Sequence, residues 1–574
     1  MAITTAAERP KKIRIGDLLI AHKVISQEQL NAALAEQKKS GRKLGRVLIE
    51  NGFLSEDQML NFLAQQLNIP CIDLKRYNYK TEVVRLIPET HARRFRVIAL
   101  DDAREGLLVG MADPTDIFAY DELSRLLRRP LRLAVVNEGD LLKTIDRVYR
   151  KTEEISGLAQ ELEQELTAAG VDLGLLAETE GLTDAPVVKM LQSVFEDAVQ
   201  VNASDIHIEP GEKDIRIRFR IDGVLRVQTT ADRRIGPALV SRIKLMSGLD
   251  ISEKRLPQDG RCNVRIRDRQ IDARLSTMPT QYGESVVMRL LNPFAGVLTL
   301  AQIGMPKTVL DRFQHVLTSP TGMVLVTGPT GSGKTTTLYA ALQELNRPES
   351  KVLTVEDPVE YRLAGINQVQ VNTKIELTFA RVLRSMLRQD PDVILVGEMR
   401  DQETAEIGLR AAMTGHLVLS TLHTNDAIST ALRLVDMGVE PFMVAASLRA
   451  IVSQRLVRRL CESCSEPYAP PPPLLAVVRA EMGAEAAGKL TFRRGRGCTH
   501  CNGTGYHGRI GVFEYLEMDA DLVDVLHTGD PVKFSQLARQ QKGFRSLRQA
   551  AIDLAAQGQT TMDQVVRATY GAED

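Results

Sequence analysis

The 574-residue chain contains no tryptophan, and aromatic residues make up only 4% of it. A shortage of aromatic side chains disfavours surfaces that stack sugars or the bases of single-stranded nucleic acid. Lys plus Arg and Asp plus Glu number 73 each, so the formal net charge is zero. Because proteins that coat DNA usually carry a basic excess, we expect no nucleic acid polymer as a partner.

The chain also lacks long apolar segments. No run approaches the ~18 or more uncharged apolar residues that would span a bilayer. The N-terminal sequence MAITTAAERPKKIRIGDLL is basic, but it has no apolar core followed by a cleavage site. We therefore predict a cytoplasmic protein that acts at a membrane only through membrane-embedded protein partners.

The length predicts about three to five domains. Alternating strand and helix patterns predict a multidomain α/β protein. The predicted units are an N-terminal repeat domain (1–70), a small α/β subdomain (71–150), a helical or loose linker (151–180), a mixed helix and strand domain (181–300), and an α/β domain (301–574) with a cysteine subdomain at about 455–515.

The strongest motif is a phosphate-binding loop. The segment Gly328-Pro329-Thr330-Gly331-Ser332-Gly333-Lys334-Thr335 matches G-x4-G-K-[ST] between an apolar strand, MVLVT, and a helix, KTTTLYAALQEL. The glycines let backbone N–H groups turn towards phosphates, and the helix N-terminus adds positive potential. Lys334 is predicted to reach the β- and γ-phosphates and Thr335 to ligate Mg²⁺, with Thr336 completing the ATP site.

Polar residues follow or flank three further apolar strands. Because ligands gather at the carboxyl ends of strands in an open α/β sheet, these residues are candidates for Mg²⁺ and water positioning. A lone Glu or His in such a place is more often a solvated or satisfied polar group, but the segments occur together and in order. They are TVEDPVE with Glu356 and Asp357, ILVGEMRD with Glu398, and TGHLVLSTLHTNDA with His416 and His423.

Together these segments resemble the Walker A, Asp box, Walker B and His box of the type II/IV secretion ATPases. The resemblance covers roughly residues 180–515 and includes the later segment NGTGYHGRIGVFEYL. It implies a RecA-like ATPase core, a PAS-like α+β companion domain, a homohexameric ring, and an inner-membrane platform protein as partner.

The same resemblance assigns roles to the strand-end residues. Glu398 would orient the attacking water, and Glu356 with Asp357 would support Mg²⁺ and the γ-phosphate. His416 and His423 would sense the γ-phosphate or couple the site to movement.

An arginine-rich strand, DIRIRFRIDG, places Arg216, Arg218 and Arg220 on one face. From the residues alone, a salt-bridged exposed face and a phosphate-binding face are equally open. The family resemblance favours the second: Arg218 and Arg220 would supply positive charge to a γ-phosphate, with Arg242 and Arg255 as weaker candidates. Such fingers raise phosphoryl-transfer rates by about 10³–10⁵ in other NTPases.

Four of the six cysteines form two C-x2-C pairs. Four thiolates suit tetrahedral Zn²⁺ and leave no open position, so we predict a structural zinc site. His500 lies between ligands and is expected to be a bystander, and Cys71 and Cys262 are expected to be ordinary thiols. The ligands are Cys461, Cys464, Cys498 and Cys501.

An internal repeat with an offset of 29 residues occupies the N-terminus. Each copy predicts a helix, a turn and a second helix, which Ser26 or Ser55 caps with Glu or Gln in the following turn. Packed helical hairpins explain the apolar positions. They do not explain why Arg14/Lys43, Gly16/Gly45 and Gln37/Gln66 recur at matching positions.

The repeat resembles the cyclic-di-GMP-binding N-terminal domain of some pilus and secretion ATPases, and with the core it most resembles the extension ATPases of mannose-sensitive haemagglutinin (MSHA) type pili. Three positions depart from that pattern: Lys43 replaces Arg, Ile15 replaces Leu and Lys23 replaces Gly. The ligand contacts implied are Arg14, Ile15, Gly16, Leu30, Leu34, Gln37, Lys43, Leu44, Gly45, Leu63, Gln66 and, from the α/β subdomain, Asp113.

The expected function is thus an ATP- and Mg²⁺-dependent motor for type IV pilus assembly, regulated by cyclic-di-GMP. The nearest alternative is a type II secretion ATPase, which shares every core motif. A retraction motor generally lacks the long N-terminus and the cysteines. The presence of Glu398 argues against a nucleotide-gated scaffold that hardly hydrolyses ATP. The neutral net charge argues against a DNA-translocating ATPase.

Overall fold

The computed structural model describes residues 19–20, 24–40, 44–149, 152–169, 186–266, 269–291 and 298–569. Within these ranges no helix combines the length and the apolar composition that a membrane span needs. The structure has separate apolar cores for the N-terminal helices, the small α/β unit, the arginine-rich sheet and the P-loop sheet.

The described residues of the two N-terminal repeat copies share one core. Ser26 and Ser55 each accept a hydrogen bond from the backbone N–H three residues on, and Gln29 and Gln58 each accept one back, so both predicted capping boxes are confirmed. The helices are α1 (Gln27–Ser40), α2 (Leu44–Glu50) and α3 (Glu56–Leu67).

A three-stranded sheet follows, in the order β1-β2-β3, with the first pair antiparallel and the second parallel. This N-terminal α/β unit (residues 71–149) comprises α4 (Thr81–Val84), α5 (Glu89–Phe95), β1 (Val97–Ala103), β2 (Gly106–Met111), α6 (Ile117–Leu127), β3 (Leu131–Val135) and α7 (Glu138–Val148).

The segment predicted as a linker (151–180) is in part a structural element of the next unit. Its described residues form α8 (Thr152–Ala169), in which Ile155, Ala159 and Leu162 are buried in the core of the arginine-rich sheet. The description of this stretch as a linker is corrected to that extent, because a spacing of three to four residues gives the helix an apolar stripe that needs a partner.

The companion unit is an antiparallel sheet in the order β6-β5-β4-β9-β8-β7. The alternation in DIRIRFRI puts Ile215, Ile217 and Phe219 into the core and the arginines on the other face. Its elements are α9 (Pro186–Gln200), β4 (Asp205–Pro210), β5 (Asp214–Ile221), β6 (Val224–Asp232), α10 (Gly236–Met246), β7 (Gln258–Ile266), β8 (Arg269–Thr280) and β9 (Gly283–Leu291).

The ATPase unit has a seven-stranded sheet in the order β12-β11-β13-β14-β10-β15-β18, parallel except for its last strand. Strands β10, β11, β13 and β14 are buried along their whole length. Up to β15 the elements are α11 (Lys307–Leu317), β10 (Gly322–Thr327), α12 (Lys334–Leu345), β11 (Val352–Glu356), β12 (Asn367–Gln370), α13 (Phe379–Met386), β13 (Val393–Val396), α14 (Gln402–Met413), β14 (Leu417–Leu422), α15 (Ala427–Asp436), α16 (Pro441–Ser447) and β15 (Leu448–Leu460).

Strands β15 and β18 form a long antiparallel ribbon that carries the cysteine subdomain at its end, where Leu460 pairs with Tyr506. The remaining elements are β16 (Ser465–Tyr468), α17 (Pro472–Met482), α18 (Ala484–Ala487), β17 (Phe492–Gly495), β18 (Tyr506–Glu517), α19 (Ala520–Thr528), α20 (Pro531–Gln540), α21 (Leu547–Ala556) and α22 (Met562–Thr569).

Candidate ATPase site and metal centre

The phosphate-binding loop joins β10 to α12 as the motif predicts. Gly328 and Gly333 have φ angles of +142° and +90°, a region that favours glycine. A Cβ on Gly328 would also lie 2.4 Å from the carbonyl oxygen of Gln454, so strand β15 approaches the loop too closely for a side chain. Ser332 is buried, and its Oγ has no hydrogen-bond partner. Thr335 and Gly331 are exposed.

Lys334 rests on the loop itself. Its Nζ donates to the carbonyl oxygens of Gly328 at 2.8 Å and Pro329 at 3.1 Å. Burial lowers the pKa of Lys334 to about 8; the cation of Arg455 adds to this, and the carboxylate of Glu398 opposes it. The ammonium is therefore held by weak carbonyl partners that phosphate oxygens can replace.

Glu398 and His423 meet beside the loop. Glu398 follows β13, its side chain is 12% exposed, and its Oε1 lies 2.6 Å from Nη2 of Arg400. Its second oxygen lies 3.5 Å from Nε2 of His423, which follows β14. Glu398 and His423 therefore lie at the carboxyl ends of two neighbouring parallel strands, and β14 pairs with β10, the strand that leads into the P-loop.

Glu356, at the end of β11, is buried in a polar network. It accepts hydrogen bonds from the hydroxyls of Tyr339 and Thr354, and its Oε1 lies 3.2 Å from Nε2 of Gln368. Burial and the hydrogen bond to Glu356 raise the pKa of Tyr339. Asp357, by contrast, is exposed. The two acids predicted as a pair thus have different environments, and Glu356 is positioned by the sheet core.

His416 is not brought to this site. It precedes β14, and its carbonyl oxygen accepts a hydrogen bond from the N–H of Gly322, the first residue of β10. The P-loop follows the other end of β10, so His416 lies at the opposite edge of the sheet. Its Nδ1 lies 2.9 Å from the carbonyl oxygen of Ala411. The resemblance implies that His416 and His423 sense the γ-phosphate or couple the site to movement. Within one chain His416 lies away from the P-loop, so for this residue coupling to movement stays the prediction.

The candidate arginine fingers are paired within their own sheet. Arg218 donates to Glu209 at 2.5 Å, and Nε of Arg220 lies 3.4 Å from Asp205. Among the weaker candidates, Arg255 pairs with Glu253 and is 87% exposed. A buried Nε without a hydrogen-bond partner occurs in Arg218 and also in Arg242. The salt-bridged face that sequence reasoning left open is therefore present.

A cleft of about 200 Å³ opens between the companion unit and the ATPase unit, next to the P-loop. It was not predicted, because its residues come from five separate parts of the chain and match no motif. Asp222, in the turn before β6, accepts a hydrogen bond at 2.9 Å from the N–H of Gly508 in β18 and so links the two units. The cleft is lined by Asp222, Gly223, Val224, Gly331, Leu456, Arg458, Arg509, Gln564, Arg567 and Ala568.

The four predicted cysteines form one cluster, in which all Sγ atoms lie within 4.8 Å of one another. Three Sγ pairs are 3.8 Å apart. A tetrahedron with Zn–S bonds of ~2.3 Å has edges of about 3.8 Å, so the donors fit Zn²⁺. The N–H groups of Cys498 and Gly505 point at Sγ of Cys501, as suits a thiolate. The cluster includes neither Cys71 nor Cys262.

The repeat positions are only partly described. Leu30 and Leu63 are buried, whereas Leu34 is 36% exposed, and Gln37 and Gln66 are partly exposed. Asp113 accepts hydrogen bonds from the N–H and hydroxyl of Thr115 in its own turn. Leu44 begins α2 and is partly exposed. Outside the described residues, or without a described side chain, lie Arg14, Ile15, Gly16, Lys23, Lys43 and Gly45.

A P-loop on a parallel sheet, with an acid and a histidine at the neighbouring strand ends, defines a RecA-like P-loop ATPase. Comparison with known proteins agrees. The model of the family described as "Type II/IV secretion system protein" matches residues 180–567, and the MshEN domain model matches residues 67–155. The second match covers the N-terminal α/β unit and leaves most of the repeat outside it.

Two curated relatives are similar along most of their length. The type IV pilus assembly ATPase PilB of Myxococcus xanthus is 42% identical over 96% of this chain and 98% of that protein. The type II secretion system ATPase E of Vibrio cholerae is 42% identical over 85% of this chain and 97% of that protein. The DotB ATPase structure from Legionella pneumophila has a TM-score of 0.51 at 23% identity, covering 67% of this chain and 96% of that one, and shows the shared fold.

The chain belongs to the type II/IV secretion system ATPase family. It is accordingly an enzyme that hydrolyses ATP, related to both pilus assembly and type II secretion ATPases.

Proposed function

We propose that this ATPase is the motor of type IV pilus extension, of the MSHA type, working as a cytoplasmic homohexamer on an inner-membrane platform protein. The observation that carries the motor assignment is the Glu398–His423 pair at the sheet edge from which the P-loop leaves β10. Extension of a type IV pilus is supported by the PilB relative, whose similarity extends over 96% of the chain, N-terminal unit included, and the MSHA type is supported by the resemblance of the N-terminal repeat.

ATP would bind with its phosphates on the loop from Gly328 to Thr336. Lys334 would leave the carbonyls of Gly328 and Pro329 for the β- and γ-phosphates. Mg²⁺, held by the Thr335 hydroxyl and by water, would neutralise phosphate charge. Glu398 has one oxygen on Arg400 and the other near His423, which leaves it fixed to orient the attacking water. Glu356 and Asp357 would complete the site from the next strand.

The base and ribose would occupy the cleft beside Gly331. Arg458, Arg509 and Arg567 make this cleft strongly positive, and Asp222 is the acid among its lining residues. Burial lowers the pKa of Arg458, whose guanidinium stacks at 4.0 Å on the ring of Tyr506. Because the cleft walls belong to two units, binding there would draw the companion unit and the ATPase unit together.

In a hexameric ring, the arginines of the companion unit could pair with a nucleotide of the adjacent subunit as well as with their own carboxylates. Arg218 and Arg220 are 31% and 35% exposed while paired with Glu209 and Asp205. Exchange of these carboxylates for the γ-phosphate of an adjacent subunit would provide the finger that phosphoryl transfer needs. His416, at the far edge of the sheet, would then act in movement and not at the phosphate of its own chain.

The motor test uses steady-state phosphate release. Lys334→Ala should abolish turnover, with Lys351→Ala as a matched control because Lys351 is exposed and precedes β11. Undiminished hydrolysis by Lys334→Ala would overturn the site. A deletion strain separates the two machines: loss of surface pili supports pilus extension, and loss of secreted enzymes supports the alternative, a type II secretion ATPase.

Cyclic-di-GMP is the proposed regulator. Support comes from the two-copy repeat, from the MshEN match beside it, and from Leu34, an apolar side chain that stays 36% exposed at a position whose repeat equivalent, Leu63, is buried. An apolar surface of this kind suits the face of a guanine base. Calorimetric titration into the full chain should show saturable binding that Arg14→Ala removes. Binding unaffected by that change, or no binding, would reduce the repeat to a scaffold.

A further inference from the structure

His500 stands between two of the predicted metal ligands, yet its side chain turns away from them. The imidazole belongs to a residue that is only 5% exposed, and it contacts the N-terminal α/β unit. Its Nε2 lies 2.7 Å from the carbonyl oxygen of Tyr77, and its Nδ1 lies 2.8 Å from Nη1 of Arg147. Its ring packs edge-on against Tyr79 with centroids 4.8 Å apart.

The chemistry of these partners fixes the hydrogen-bond roles. A carbonyl oxygen only accepts, so Nε2–H of His500 donates to Tyr77. A guanidinium only donates, so Nδ1 accepts from Arg147. One neutral imidazole thus satisfies both contacts, and both come from the same distant unit. The contact is therefore specific, because a buried polar group without a hydrogen-bond partner destabilises the folded protein.

The turn that carries His500 is flanked by two cysteines of the predicted metal site. A short helical turn, Thr499–Cys501, places the histidine between Cys498 and Cys501. The pair Cys498 and Cys501 therefore presents His500 to the N-terminal α/β unit.

We propose that the four-cysteine subdomain is a docking surface for the chain's own N-terminal α/β unit (residues 71–149), with His500 as its central contact. A metal on the four thiolates holds this surface in shape, a part of the proposal that rests on the proposed zinc site. The surface lies at the end of the β15–β18 ribbon, and β15 pairs directly with the P-loop strand β10. Docking there connects the N-terminal unit to the ATP site through one continuous sheet.

The test is hydrogen–deuterium exchange of the full chain, read at the peptides that contain Tyr77–Tyr79 and helix α7. In His500→Ala these peptides should exchange about tenfold faster, the effect of losing two buried hydrogen bonds. His527→Ala is the matched control, because His527 is exposed on α19. Arg147→Ala removes the hydrogen bond to His500 from the N-terminal side of the contact and should raise the exchange rate of the same peptides.

Metal content, measured by elemental analysis, should be unchanged in His500→Ala, because His500 is not among the clustered donors. Removal of the metal from the wild type by a chelator should reproduce the His500→Ala exchange pattern. Wild-type protection in both His500→Ala and Arg147→Ala would overturn the docking surface. Unchanged protection after verified metal loss would overturn the metal's part. These readouts do not depend on ATP turnover, so they stand apart from the motor assignment.

Discussion

Replacing Glu398 by Gln tests the catalytic site most directly. The change keeps the shape of the side chain but removes the charge that lies 2.6 Å from Arg400 and 3.5 Å from His423. A positioned acid–base group contributes about 10²–10⁴ in rate. We therefore expect kcat to fall at least about 100-fold, equivalent to about 3 kcal/mol of barrier, while ATP still binds, because Lys334 and the loop backbone remain.

The assay pairs steady-state phosphate release with equilibrium binding of a fluorescent ATP analogue. Glu403→Gln is the matched control, since Glu403 lies on nearby α14 with a side chain that is 60% exposed, paired with Arg384. That variant should hydrolyse ATP at the wild-type rate. Loss of binding in Glu398→Gln would indicate a folding or binding defect, and a wild-type kcat would refute the assignment of Glu398.

Three further predictions concern pH and metal. Burial lowers the pKa of Lys334 to about 8, and a neutral amine attracts phosphate less, so binding of an ATP analogue should weaken above a pH of about 8. The variant Lys334→Arg should not show this loss of binding. Wild-type binding that stays constant from pH 7 to 9.5 would contradict the prediction. Burial raises the pKa of Glu514 to about 7 from 4.5, so the folded state keeps a proton that the unfolded chain releases. Unfolding free energy should thus fall as pH rises from about 4.5 to 7, by up to about 3 kcal/mol. Urea unfolding of Glu514→Gln should show a shallower decline, and equal slopes would exclude this group. Cys461→Ser should lose bound zinc and unfold at lower temperature, whereas Cys262→Ser should keep its zinc, because Cys262 lies in β7 of the companion sheet, far along the chain from the cluster.

The parts of the site that could be predicted are those in which local sequence fixes local geometry. The G-x4-G-K-T segment determines its own loop, because its glycines take φ angles that other residues avoid. The spacing of each cysteine pair likewise determines the turn that brings its two thiols together. Ser26 and Ser55 determine the N-terminal caps of the helices that follow them. In each case the residues that interact lie within a few positions of each other, or recur in a spacing typical of one chemistry.

The parts that could not be predicted depend on the path of the chain. His416 precedes β14 and His423 follows it, so the whole length of the strand lies between them. Only the direction of β14 in the sheet decides which of the two histidines lies at the P-loop edge. The cleft arginines Arg458, Arg509 and Arg567 belong to two strands and a C-terminal helix, so no spacing connects them. The burial of α8 was also not predicted, although the apolar stripe in its sequence indicates a helix that packs against another element.

The positions of these missed residues bear on how the motor works. The companion unit touches the ATPase unit through Asp222, which accepts from Gly508, and through Arg274, which donates at 3.1 Å to the carbonyl oxygen of Val359, two residues after Asp357. One contact borders the proposed base cleft, and the other borders the acid that follows β11. A relative rotation of the two units therefore alters both ends of the proposed nucleotide site at once. Binding energy at the site can drive that rotation only if ATP favours one arrangement, because a ligand shifts an equilibrium by no more than its difference in affinity.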